Sequence, residues 1–420
     1  MTTPGSPTPL ARRLTTTDAV VIGVGSMVGA GLFSAFAPAA RSAGSWLLLA
    51  LAVAAVVAFC NATSSAQLAA QYPTSGGTYV YGRKRLGPWW GFTAGWGFVI
   101  GKTASCAAMA LVFAAYLVPE RGQKTVAVLA VVVMAAVNYR GITRTARLTR
   151  VIVAGVLAAV TVVLVAVSGW GARPADPFSD VSGQVGAAGV LQGAAILFFA
   201  FAGYARIATL GEEVVDPERT IPRAIVTAFA VVVPLYAVTA VVLVRALGTS
   251  GLAASNAPVR DAADTVGAGG WLPGLVVVSA AAATLGALLA LVAGVGRTAL
   301  AMAREGDLPR PLAAVHPRYA VPHVAEVVVA AVVCVLVLLV DLRGVIGFSS
   351  FGVLTYYAVA NASALTQDAR HRRWPRALAV VGLAGCTALA LAVPTSSLVA
   401  GVAVLATGLA GRFVVLRRRV

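Results

Sequence analysis

Apolar residues run in long stretches from near the start of this chain to its end, and polar residues gather in short clusters between them. A helix needs roughly 20 apolar residues to cross a bilayer. By that measure the pattern predicts about twelve spans, at residues 18–39, 45–71, 88–118, 124–140, 150–170, 186–210, 222–246, 270–302, 322–340, 345–366, 376–393 and 395–415. Backbone groups in lipid must be bonded internally, and these segments are too long and too continuously apolar for barrel strands. The expected fold is an all-α integral membrane protein.

Composition agrees. Of 420 residues, 59% are hydrophobic and 11% charged, where a soluble domain carries about a quarter charged residues. The mean hydropathy is +0.87. The first 17 residues are polar and Pro/Thr-rich, with Arg12 and Arg13 but no apolar core, so they do not read as a cleavable signal peptide. The loops are too short to hold a core of their own, which leaves a cytoplasmic tail at 1–17 and a single membrane domain at 18–420.

The net charge of +17 suggests nucleic acid until its placement is considered. Arg83–Arg85, Arg140–Arg150, Arg219, Arg223, Arg297–Arg318, Arg370–Arg376 and Arg412–Arg419 all fall on the side of the N-terminus. The other side holds only Arg41, Arg121, Lys124, Arg173, Arg245, Arg260 and Arg343. This asymmetry is the positive-inside pattern, which places both termini in the cytoplasm. The basic charge therefore reports topology and attraction to anionic lipid heads, with no nucleic-acid partner. Cys60, Cys106, Cys334 and Cys386 stand isolated inside spans, and His316, His323 and His371 lie in loops. Neither set has metal or redox spacing, so no cofactor or metal is expected.

Two spans are interrupted. Span one carries Gly23, Gly25, Gly29 and Gly31 within nine positions. Each glycine costs about 1 kcal/mol in a helix interior relative to alanine. Gly25-x-x-x-Gly29 also reads as a helix-packing motif. Span six carries Gly203 at mid-span. Glycine-interrupted spans at matching positions of two halves point to a transporter binding site.

Three stretches carry a family resemblance: Ile22 to Phe33, Phe198 to Arg223, and Gly296 to Arg310 with His316-Pro-Arg and Val321-Pro-His323 after it. They resemble the amino acid–polyamine–organocation superfamily, nearest its cationic amino acid transporter-like branch. The resemblance implies a five-plus-five inverted repeat with broken helices one and six. Repeat one would cover about 18–170 and repeat two about 186–366, with two extra helices at about 376–415. It also implies long scaffold helices three and eight, and spans three and eight are the longest apolar stretches here.

An amino acid arrives as a zwitterion, and an interrupted helix offers backbone donors and acceptors without burying charged side chains. Gly29, Ala30 and Gly31 are the candidates for the carboxylate, with Ser26 nearby; the family often has serine where this chain has Ala30. The carbonyls of Phe199 and Ala202, flanking Gly203, are the candidates for the ammonium. Phe199, Phe201 and Tyr204 are candidate walls. Two of the charges inside spans are singled out, because ionisable groups there are expensive and commonly functional. Lys102 matches a family position near the pocket and reads as a substrate contact, as a proton-coupling residue, since a lysine removed from water gives up its proton more readily, or as a structural partner for backbone carbonyls or a polar side chain. Arg206 reads as a coupling or gate residue, or as one that snorkels or pairs with Glu212 or Glu213. Glu212, Glu213, Asp216, Arg219 and Arg223 are candidate partners of Arg140–Arg150 in an inner latch. Asp18 is a helix cap or a gate partner, and Pro222 suits the start of span seven.

Two departures from the family stand out. Some proton-coupled members place a lysine in helix five, and span five here has none. The cationic-transporter pattern has an acidic residue just after the span-six break, and here Ala205 and then Arg206 follow. The expected activity is secondary transport of an amino acid by alternating access, by proton symport or exchange, in the plasma membrane. The alternative is a membrane amino-acid sensor that does not transport. No catalytic set supports an enzyme.

Overall fold

The computed structural model describes residues 14–74, 76–141, 146–171, 186–267 and 269–417. Most of the expected tail at 1–17 lies outside them, as do Arg144 and most of the loop at 171–185. The described residues form no strand.

Among the described residues there are twelve long apolar helices: α1 (Thr16–Ser34), α2 (Phe36–Gln71), α3 (Pro88–Leu117), α4 (Glu120–Tyr139), α5 (Arg147–Trp170), α6 (Ala187–Ala208), α7 (Pro217–Ala254), α8 (Trp271–Arg304), α9 (His323–Leu339), α10 (Leu342–Leu365), α11 (Arg376–Ala392) and α12 (Thr395–Arg417). Ten are long enough to cross a membrane comfortably. α9 and α11 have 17 residues each, the short end of the spanning range.

The boundaries differ from the pattern where turn chemistry intervenes. α1 stops at Ser34 and α2 starts two residues on, because the apolar run 35–43 forms a separate piece of α2 ahead of a 3₁₀ turn at Gly44–Trp46. Gly44 (φ 52°) supplies the backbone reversal. α7 starts at Pro217, so Pro222 lies inside it rather than at its start. At 38 residues α7 is longer than α3 (30) and α8 (34), which the apolar pattern ranks first.

α3 is the axis. Its most apolar window is 89% buried, against 11% for α12. It crosses α10 at glycine: a Cβ on Gly352 would lie 2.8 Å from Gly101 Cα, so the two backbones touch. Polar side chains add interhelical bonds. Ser105 meets Ser349 at 2.7 Å, and Asn361 of α10 donates to Asn61 of α2 at 2.6 Å. Outward faces are apolar, with Val132 and Val133 on α4 and Val328 and Val332 on α9 exposed, as lipid contact requires.

At the face where α1 begins, called here the basic face, Asp307 gathers the ends of several elements. It accepts from Tyr79 (2.9 Å) and Arg83 (3.2 Å) of the helix Gly77–Arg85 and pairs with Arg412 of α12 at 2.9 Å. Burial, and then the Asp307 carboxylate, push the Tyr79 phenol above its ordinary value, so it remains a donor. Arg412 also stacks over Trp89 and Phe92. The Asp307 and Arg412 side chains are each 5% exposed, whereas Arg83 is 32% exposed. Removing one partner of a buried pair costs about 3–5 kcal/mol, and a partly exposed pair contributes about 1 kcal/mol or less. Asp307→Asn is therefore expected to lower the thermal unfolding temperature in detergent far more than Arg83→Ala, and equal shifts would refute this ranking.

Candidate functional site at the broken helices

α1 opens with a capping box: Thr15 Oγ1 accepts from the Asp18 amide, and the Asp18 carboxylate accepts from the Thr15 amide at 3.0 Å. The same carboxylate pairs with Arg150 of α5 at 2.9 Å. Asp18 is thus a helix cap that also pairs across to α5. Further along, α1 departs from helical geometry at Gly29 (φ −28°, ψ −109°). In α6, regular helix ends at Phe201, a 3₁₀ turn occupies Ala202–Tyr204, and helix resumes to Ala208. The interruptions are tighter than the unwound segments the glycines suggest.

They also touch. A Cβ on Gly203 would lie 2.4 Å from the Ser26 backbone carbon and oxygen, and one on Gly31 would lie 2.6 Å from Ala200 Cα. Only glycine permits either approach. Side chains from neighbouring helices satisfy the carbonyls there. Lys102 of α3 donates to Ala202 O at 3.0 Å, and Tyr357 of α10 donates to the same oxygen at 3.3 Å. Tyr236 of α7 lies 2.6 Å from Met27 O in α1 and 3.0 Å from Ala200 O in α6, sharing one hydroxyl hydrogen between the two helices.

Two adjoining cavities flank this junction. An inner chamber of about 70 Å³ is lined by Gly31, Phe98, Lys102, Phe199, Ala202 and Gly203, among others. A vestibule of about 300 Å³ runs from it between α1, α5 and α8 toward the basic face, past Leu14 and Thr149. Ser26, Arg206 and Arg297 border both. The opposite end is closed: Tyr116 of α3, 1% exposed, donates to Phe33 O at 2.8 Å and accepts from the Val259 amide at 3.3 Å.

Against the residues singled out in the sequence, the structure brings together Ser26, Gly31, Lys102, Phe199, Ala202, Gly203 and Arg206. It turns others away. Gly29 packs on Ala287 of α8. Tyr204 stacks on Tyr357 at 4.9 Å and Phe201 on Phe229 at 6.1 Å, so neither is among the residues lining the chamber. Ala30 lies in the helix beside Gly29, and its side chain is outside the described set. The Ala202 carbonyl does not stand free for a substrate ammonium, because two protein donors already use it. Of the expected latch to Arg140–Arg150, Arg144 lies outside the described residues, and the observed pairs run otherwise. Arg150 belongs to Asp18, while Glu213, next to Glu212, meets Arg206 (3.7 Å) and Arg297 (3.6 Å), and Asp216 meets Arg219 (3.8 Å). Sequence reasoning missed Tyr236, Tyr357 and Arg297. The two tyrosines gave one signal, a polar tip at mid-span, and Arg297 is grouped by the charge pattern with loop residues.

The Gly203 contact is directly testable. Overpacking of this kind costs about 1–3 kcal/mol, so Gly203→Ala is expected to lower thermal stability in detergent. Gly411→Ala, at a position with open space around it, is expected to cause no loss.

Comparison with known proteins follows this geometry. Residues 18–405 match the amino acid permease family. An uncharacterized transporter of Mycobacterium tuberculosis is 59% identical over 405 residues, covering 96% of this chain and 91% of that protein. The branched-chain amino acid permease BcaP of Bacillus subtilis is 25% identical over 408 residues, 91% of this chain and 86% of that one. The human cationic amino acid transporter 4 is 28% identical over 382 residues, 85% of this chain and 60% of that one. A match over nearly the whole length, on a bundle of apolar helices whose first and sixth members break against each other, leaves one conclusion: this chain belongs to the amino acid permease family.

Proposed function

We propose that the chain is a secondary transporter of amino acids, working by alternating access, with the inner chamber as its binding site and the basic face toward the cytoplasm. The abutting interruptions of α1 and α6 beside a closed chamber carry this reading. Paired helix interruptions beside a cavity that opens toward one face are the arrangement expected of a transporter site. The plasma membrane suits such a cycle.

The chamber favours amino acids without net positive charge. Lys102, Arg206 and Arg297 line it, Glu213 borders only the vestibule, and Ala205 occupies the position where an acidic residue would attract a cation. A cationic side chain entering this space meets like charge. Phe98, Met109, Ala287 and Leu291 supply apolar walls, which suit a neutral apolar side chain such as those in the name of the Bacillus relative. Ser26 donates to Ile22 O at 2.7 Å and keeps its lone pairs for the chamber. Lys102 acts as a substrate contact: its ammonium fixes the α6 turn and offers positive potential to a carboxylate near Gly31.

Uptake of radiolabelled amino acids into proteoliposomes tests this. Neutral apolar amino acids are expected to enter, and arginine and lysine to compete poorly. Preferred uptake of cationic amino acids would overturn the charge argument, and saturable binding without uptake would establish a sensor instead. Lys102→Met leaves Ala202 O with one donor and removes the potential. It is expected to raise KM about tenfold, equivalent to about 1.4 kcal/mol, with the pH profile of uptake unchanged.

A further inference from the structure

α9 is apolar along almost its whole length, yet it buries one carboxyl. Glu326 is 3% exposed, and its Oε2 is enclosed without a hydrogen-bond partner. The side chain fits because α8 has glycine opposite it: a Cβ on Gly296 would lie 2.8 Å from Glu326 Cγ. The next residue of α8 is Arg297, whose guanidinium reaches the vestibule and lies 3.6 Å from Glu213. The same Cβ on Gly296 would lie 3.7 Å from Glu326 Oε1, so the carboxyl sits beside the residue that precedes Arg297. Arg297 thus pairs with Glu213 of the α6–α7 link and adjoins the glycine against which Glu326 of α9 packs.

The remaining ionisable groups on the packed elements do not fill that role. His323 precedes Glu326 by one turn, and its own Nδ1 is buried without a partner. His316 and Tyr319 of the α8–α9 link and Tyr139 of α4 form an aromatic cluster with His323. From α3 come Lys102, held by Ala202, and Cys106. Arg304 closes α8, and Arg310 begins the turn 310–313. An ionised carboxylate buried without a partner is strongly disfavoured, and a protonated one is neutral.

We infer that Glu326 is a proton-carrying carboxyl of the transport cycle, in competition with Glu213 for Arg297. This rests on the transporter reading above. While Glu213 engages Arg297, Glu326 keeps its proton. When the α6–α7 link withdraws, Arg297 turns to Glu326. The carboxyl O–H bond then breaks, the proton passes to water in the vestibule, and the carboxylate takes the guanidinium as its counter-charge. Return of Glu213 reverses both changes. The position of the link and the protonation of Glu326 are thereby tied.

The test uses the full-length protein in proteoliposomes, comparing wild type with Glu326→Gln and Glu326→Asp. Three readouts are taken: uptake under an inward proton gradient, exchange against preloaded amino acid without a gradient, and proton entry followed with a trapped pH dye. Glu326→Gln is expected to lose gradient-driven accumulation and substrate-dependent proton entry while keeping exchange. Glu326→Asp, which retains the carboxyl, is expected to keep both with a displaced pH profile. Wild-type coupling and pH profile in Glu326→Gln would overturn the inference. So would wild-type exchange with no proton movement, which leaves the transporter reading intact. Absence of all amino acid movement in the wild type would instead refute the transporter reading.

Discussion

The centre of the molecule is organised by the need to satisfy backbone carbonyls where two helices are interrupted away from water. An unpaired carbonyl in lipid-like surroundings costs several kcal/mol. Here the debt at Ala202 is met by Lys102 and Tyr357, and that at Met27 and Ala200 by Tyr236. These donors come from α3, α7 and α10. The interruptions of α1 and α6 are consequently clamped by the helices around them, and the tight geometry at Gly29 and Ala202–Tyr204 follows from those clamps.

The same arrangement changes the chemistry on offer. A site in which α6 carbonyls stood free would attract any ammonium. With Lys102 already on Ala202, the chamber contains a resident cation, and its remaining pull is on carboxylates. Arg206 and Arg297 extend positive potential into the vestibule, partly balanced by Glu213. Charge in this family member is thus concentrated along the route between chamber and basic face. The Asp18–Arg150 and Glu213–Arg297 pairs there join α1 to α5 and the α6–α7 link to α8. Each pair is partly exposed and so individually weak.

The spans were legible in the sequence because lipid imposes one rule on every residue of a spanning helix, and that rule is local. Lys102 and Gly203 were legible for a related reason: a charge or a glycine at mid-span is conspicuous against an apolar background. What the sequence hid was pairing. Arg150 had several acidic candidates within reach of the loops, and only the packing of α1 on α5 selects Asp18. Tyr204 and Phe199 look equivalent on one helix, yet the 3₁₀ turn rotates Tyr204 onto Tyr357 and leaves Phe199 at the chamber. Glu326 lies near the start of the predicted span 322–340, and the apolar pattern alone does not say which neighbour it meets. It is buried only because Gly296, thirty residues earlier in sequence, opens a space for it on α8.

Family membership sets the scaffold and leaves charge selectivity to a few positions. Relatives over the same span bear names that specify branched-chain substrates in one case and cationic substrates in another. The difference must therefore reside in side chains that the shared helices merely present. In this chain those positions are Ala205, Arg206 and Lys102. A negative charge at 205 would face Lys102 and Arg206 across the α6 turn and change the sign of the potential a substrate meets there. With alanine in place the two cations go unopposed at the chamber, and Glu213 can offset only the outer one. Under the proposed function, the charge preference of the chamber would then rest on three residues on two helices.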